Sequence, residues 1–213
     1  MKEALIVQGD CPCHPSATIA EIMAEQLDVA QFRVTVVHSM DCFLDQETLA
    51  RIDLIVMNWH MGSMTHQQLA PFVDAVHRGT GLAGIHGFMG DTMRKNDTFR
   101  NEHTYEWMIG GQWVAHPGDD GVTYTVRITD SESPITAGIP DFTVSTEKYY
   151  MHIDPIIHVL AATDFDQVVM PIAWTKQYGQ GRIFYHSLGH RPEIVRLPEV
   201  LRLTNQGMLW AAR

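Results

Sequence analysis

Residues 53–57, Asp-Leu-Ile-Val-Met, form a strand-length run with no polar residue after the first. A strand of that kind has no face for water, so it must be covered on both sides. Residues 3–8 and 82–85 read as apolar strands too, and Phe32 to Val37 supplies another. Helical stripes separate them. Ile19, Ile22, Met23 and Leu27 share one helix face, and Thr18 and Glu21 ahead of them have capping-box spacing. Leu69, Phe72, Val73 and Val76 mark a second stripe, in which Pro71 predicts a late start or a kink. Gly79 and Gly81 punctuate its end. This β-α-β alternation implies a parallel sheet with helices on both faces and right-handed crossovers.

The second half is β-rich. Thr98 to Ile109 fits a helix, and after Gly110-Gly111 come strand-like stretches at 122–128, 142–145, 158–161, 168–175 and 182–187. Ser133-Pro134, Gly138-Ile139-Pro140 and Tyr178-Gly179-Gln180-Gly181 are turn signals between them, and the last predicts a hairpin. A C-terminal helix carries Leu197, Val200, Leu201, Met208 and Leu209. With no internal repeat or linker, residues 1–213 read as one α/β domain.

Several function classes fall away. A net charge of −10 without a Lys/Arg cluster argues against nucleic-acid partners. No apolar run approaches a membrane span, and the start reads as a first strand rather than a signal. A cytoplasmic protein is the expectation. Cys11, Cys13 and Cys42 are too few for a disulfide framework, and Cys11 and Cys13 are expected as reduced thiols. The chain lacks a phosphate loop, a dinucleotide-binding glycine motif after the first strand and a Gly-x-Ser-x-Gly elbow.

What remains is histidine, 12 in 213 residues, with several at strand ends. In open α/β sheets ligands sit beyond the carboxyl ends of strands. The first strand leads to Asp10 and His14, the third to Asn58-Trp59-His60, the fourth to His86, and the last to His186, Ser187 and His190. Gly84-Ile85-His86-Gly87 has the form of a strand-turn-helix elbow that holds imidazole in place of a nucleophile. Imidazole there can ligate a metal or move a proton. Glu147, before Tyr149-Tyr150, can be a ligand, a base or an orienting carboxylate. His116-Pro117-Gly118 is a candidate active-site loop, and His152 is a weaker candidate, readable as a strand-edge residue. For Trp59, Trp107, Trp113 and Trp174 core packing is the default reading.

Six segments in order resemble the trehalose-utilisation (ThuA-like) family. They are Asn58-Trp59-His60, Gly81-Leu82-x-Gly84-Ile85-His86, His116-Pro117-Gly118, Ser133-Pro134-Ile135-Thr136-x-Gly138-Ile139, Glu147-x-Tyr149 and the closing Gly181-Arg182-Ile183-Phe184-Tyr185-x-Ser187-Leu188-Gly189-His190. The resemblance implies a flavodoxin-like core similar to class I glutamine amidotransferases. Those enzymes carry Cys at the elbow; here it is His86 with no cysteine near it, so a glutaminase is not expected. The resemblance also implies disaccharide catabolism and a divalent metal such as zinc or manganese. By position it matches His60, His86, Glu147 and His190 as metal ligands. His86, Glu147, His190, His116 and Tyr149 are the catalytic candidates.

Two functions compete. One is an enzyme that enolises a keto sugar or keto-glycoside with metal assistance, ending in cleavage or isomerisation. The other is a non-catalytic saccharide-binding or regulatory module. Several imidazoles at strand ends favour the enzyme, with a small saccharide as its substrate. A homo-oligomer could use apolar surface on the C-terminal helix or the β-rich region.

Overall fold

The computed structural model describes residues 1–9, 11, 14–95, 98 and 100–213. Its strands are β1 (Glu3–Gln8), β2 (Arg33–Val37), β3 (Leu54–Asn58), β4 (Ser63–Met64), β5 (Gly81–Ile85), β6 (Arg94–Lys95), β7 (Gly111–Ala115), β8 (Val122–Ile128), β9 (Phe142–Thr146), β10 (Tyr150–Ile153), β11 (His158–Phe165), β12 (Val168–Tyr178) and β13 (Gly181–His186). The helices are α1 (Ser16–Val29), α2 (Gln46–Arg51), α3 (His66–His77), α4 (His86–Gly90), α5 (His103–Ile109), α6 (Pro192–Val195) and α7 (Pro198–Ala211).

One nine-stranded sheet has the order β2-β1-β3-β5-β13-β12-β11-β8-β9. Its first five strands are parallel. From β12 outward every pairing is antiparallel. The apolar strands are explained by two cores, one on each face. Ala4, Ile6, Leu54 and Val56 pack on one side with residues of α1 and α7. Leu5, Val7, Ile55 and Met57 pack on the other with residues of α3 and α5. Each fully buried side chain of this kind contributes about 1.5–3 kcal/mol. This is the α/β, flavodoxin-like arrangement, mostly parallel in its first half with helices on both faces and β-rich in its second.

Several local readings change. Helix α1 begins at Ser16 after Pro15 with no side-chain cap, so Thr18 and Glu21 lie inside it and form no capping box. Helix α3 starts early, capped by a Thr65–Gln68 box, and runs through Pro71. Pro71 is its sixth residue, so the ring forfeits one backbone hydrogen bond near the helix start. Helix α5 is shorter than the 98–109 pattern suggested. The hairpin stands: Tyr178 pairs with Gly181 and Gly179 turns with φ +59°. Leu209 is 37% exposed, and α7 instead buries Val200, Leu203, Gly207 and Met208. Among the described residues, no helix is long and apolar enough to cross a membrane.

Candidate metal and catalytic centre

The carboxyl ends of β1, β3, β5 and β13 open toward the same place. After β1 the chain is tied down by three bonds. The Gly9 N–H donates to the Asn58 carbonyl (3.0 Å), the Ser16 hydroxyl to the Gly9 carbonyl (2.6 Å) and the Asn58 amide to the Ser16 carbonyl (2.8 Å). Trp59 covers Gly9 so closely that a Cβ there would lie 2.5 Å from its indole ring. Asn58 and Trp59 thus hold Gly9 and Ser16, on either side of His14, and His60 is left to enter the cleft.

His86 opens α4 with φ +49°, a left-handed conformation rare for a residue with a side chain. Holding it costs about 1–3 kcal/mol, which the surroundings must offset. Tyr185 O–H donates to the His86 carbonyl (3.0 Å), and His86 Nδ1–H donates to the Ser187 carbonyl (2.9 Å). A carbonyl only accepts, so Nδ1 carries the hydrogen and Nε2 is the atom presented to the site.

That Nε2 meets Tyr149 Oη at 2.8 Å, Glu147 Oε2 at 3.2 Å and His14 Nε2 at 3.3 Å. His190 Nδ1 lies 3.2 Å from His14 Nε2 and 3.2 Å from Glu147 Oε1. His190 reaches in because Gly189 before it takes φ +126°. Glu147 follows β9, its carbonyl held by Tyr124 O–H (2.9 Å). Ligand atoms of His14, His86, Glu147 and His190 all lie within 4.8 Å of one another. Ligand atoms bound to a tetrahedral zinc at 2.0–2.1 Å stand about 3.3–3.4 Å apart. Four of the six edges of the group match that spacing, and the carbonyl behind His86 Nδ1 is the outer partner a ligating imidazole takes, so the donor set suits a divalent cation.

Protonation states agree with that fit. Burial, then the neighbouring His86, His60 and His190, lowers His14 to about 3. Burial and then His86 lower His60 to about 4. Burial also lowers His190. Burial opposes ionisation of Glu147, yet the facing imidazoles of His86, His190 and His116 outweigh it and lower the carboxyl to about 2. Neutral imidazole and ionised carboxylate are the forms a metal needs.

The other sequence candidates sit around this group. His60 falls outside the four. Its Nδ1 lies 3.1 Å from Asp91 Oδ2, and it forms a second group with His14 and Cys11. His14, rather than His60, stands beside His86, Glu147 and His190. His116 Nε2 is 4.0 Å from Glu147 Oε1. Trp113, His116 and Tyr149 make an aromatic wall, with centroids 5.4 Å and 6.0 Å apart. His152 is exposed on β10, and His186 is buried against Thr204, 2.8 Å from its Oγ1. His14, His60, Trp113, His116, Tyr149 and His190 line a cavity of about 540 Å³.

Some signals were missed. Asp91 lies one residue past α4, where a carboxylate after the elbow could have been noticed. Trp113 lines the cavity rather than only packing in a core, and Arg94 and Asn101 also line it with no sequence signal. The structure also brings Cys11 beside His14 and His60, although no cysteine was expected near the elbow. Cys11 is disulfide-bonded, not the reduced thiol expected, so it offers no thiolate nucleophile. Asp10 and Cys13 lie outside the described residues.

The sequence profile of the trehalose utilisation (ThuA) family matches residues 3–211. No curated protein matches the chain. Solved structures do. A ThuA-like protein of Bacteroides uniformis superposes with TM-score 0.81 at 18% identity, over 99% of this chain and 91% of that one. A ThuA-like protein of Parabacteroides merdae gives 0.78 at 17%, over 99% and 89%. A cold-adapted β-galactosidase of Rahnella sp. R3 gives 0.65 at 15%, over 99% of this chain but 30% of the enzyme. At these identities the likeness is one of fold. The profile match over nearly the whole length carries more: the chain belongs to the trehalose utilisation (ThuA) family, and with it to carbohydrate metabolism.

Proposed function

We propose that this protein is a metal-dependent enzyme of carbohydrate catabolism that removes the proton beside the carbonyl of a keto sugar or keto-glycoside. The observation that carries this reading is the convergence of His14, His86, Glu147 and His190, whose ligand atoms all lie within 4.8 Å of one another and in four of the six pairs at 3.2–3.3 Å. Three imidazoles and one carboxylate favour zinc over manganese, which prefers oxygen donors. A cation in such a set supplies polarisation of a carbonyl, which acidifies the adjacent C–H.

The chain's own groups supply the rest. His60 takes the C2 proton as base, with the Asp91 carboxylate 3.1 Å from its Nδ1 and its burial keeping the ring neutral. Trp113 and His116 offer an apolar face for the sugar ring, and the cleft is of a size that takes a small saccharide. Loss of the C1 group, its oxygen taking up the proton that His60 removed, then gives cleavage, and return of the proton to another position gives isomerisation.

The test is a 3-keto-glycoside in D2O with zinc-loaded protein, followed by NMR. Deuterium should enter at C2, with or without release of the C1 group. Unchanged substrate with no exchange contradicts the enzyme. Saccharide affinity that persists after chelation, without exchange, would instead support a binding module.

A further inference from the structure

His86 Nε2 has one lone pair and two claimants. With the ring's hydrogen committed to the Ser187 carbonyl, Nε2 can accept a hydrogen bond or ligate a cation, not both. Its shortest contact is to the Tyr149 hydroxyl at 2.8 Å, against 3.2 Å to Glu147 and 3.3 Å to His14. The Tyr149 ring stacks on His86, centroids 4.5 Å apart and 30° from parallel, and is buried at the cavity wall. Its hydroxyl proton therefore has few acceptors to choose from.

We infer that Tyr149 is a two-position proton donor. Its O–H caps His86 Nε2 while that lone pair is unclaimed. When a cation takes the lone pair, the proton turns to the oxygen that a sugar presents in the cleft. This rests on the four-residue ligand set proposed above. Tyr149 then serves as the hydrogen-bond donor to the substrate oxygen. Glu147 is the other acceptor within reach. A hydroxyl committed to Glu147 would steady a ligand, so its loss would weaken metal binding, as loss of outer-shell partners generally does.

The sign of one measurement separates these roles. Metal-stripped wild type and Tyr149→Phe are titrated with zinc by calorimetry. Phenylalanine keeps the ring and its stacking. Tyr149→Phe should bind zinc about two- to tenfold more tightly, because no hydrogen bond must be displaced. Equal or weaker binding overturns the inference while leaving the ligand set standing. Wild type that binds no zinc overturns the ligand set and the inference with it. If Tyr149→Phe fails to fold, a structure of zinc-loaded wild type decides. Tyr149 Oη should then stand beyond about 3.3 Å from His86 Nε2. A retained hydrogen bond overturns the inference.

Discussion

Asp91 separates two histidines that look alike in sequence. Its carboxylate stands 3.1 Å from His60 Nδ1, while His14 Nε2 faces His86 and His190. His60→Gln should therefore leave zinc content intact and abolish C2 proton exchange, a loss of about 10²–10⁴ in rate. His14→Ala should lose both, and exchange rate together with bound metal checks the pair. Histidine type and strand-end placement were legible in the sequence. Which ring turned toward the ligand set was not, because that depends on a carboxylate five residues past the elbow and on a loop anchored through Asn58 and Ser16. His186 shows the converse: it also ends a strand, yet it is buried against Thr204 and its burial lowers it to about 3. Between about 3 and its unfolded value near 6.5 the unfolded chain binds a proton that the folded ring refuses. Its contribution to stability is thus lost as pH falls from 6.5. Urea midpoints at pH 7 and pH 5 should differ less in His186→Asn than in wild type.

At the scale of elements, the sheet was readable wherever burial was one-dimensional. Strands β1, β3 and β5 carry apolar residues on both faces because each face meets its own core, and that pattern survives in the sequence alone. Helix limits were less readable. The start of α1 depends on the loop before it, and the shortening of α5 follows from its N-cap at Glu102, which accepts from the Thr104 N–H. The contact of α7 with β13 was invisible to pattern. Gly207 lies against Phe184 so closely that a Cβ would come within 2.1 Å of its ring. Gly→Ala inside a helix ordinarily stabilises by about 0.5–1 kcal/mol. Here the clash wins, and Gly207→Ala should destabilise by about 1–3 kcal/mol in denaturant unfolding. A stabilised variant would show that the helix is free to lift from the sheet.

For the whole molecule, the four proposed ligands follow the carboxyl ends of β1, β5, β9 and β13, spanning residues 14 to 190. A cation bound there ties the first and second halves of the sheet together and binds only the folded chain. Zinc at one hundred times its dissociation constant should add about 2.7 kcal/mol to stability, seen as a higher unfolding temperature. The most direct measurement is the metal content of purified wild type, His14→Ala, His60→Ala and His86→Ala by mass spectrometry. One divalent ion per chain is expected in wild type and His60→Ala, and none in His14→Ala or His86→Ala. Wild type without metal that also fails to bind it on titration, or His60→Ala emptied while His14→Ala stays loaded, would contradict the proposed centre.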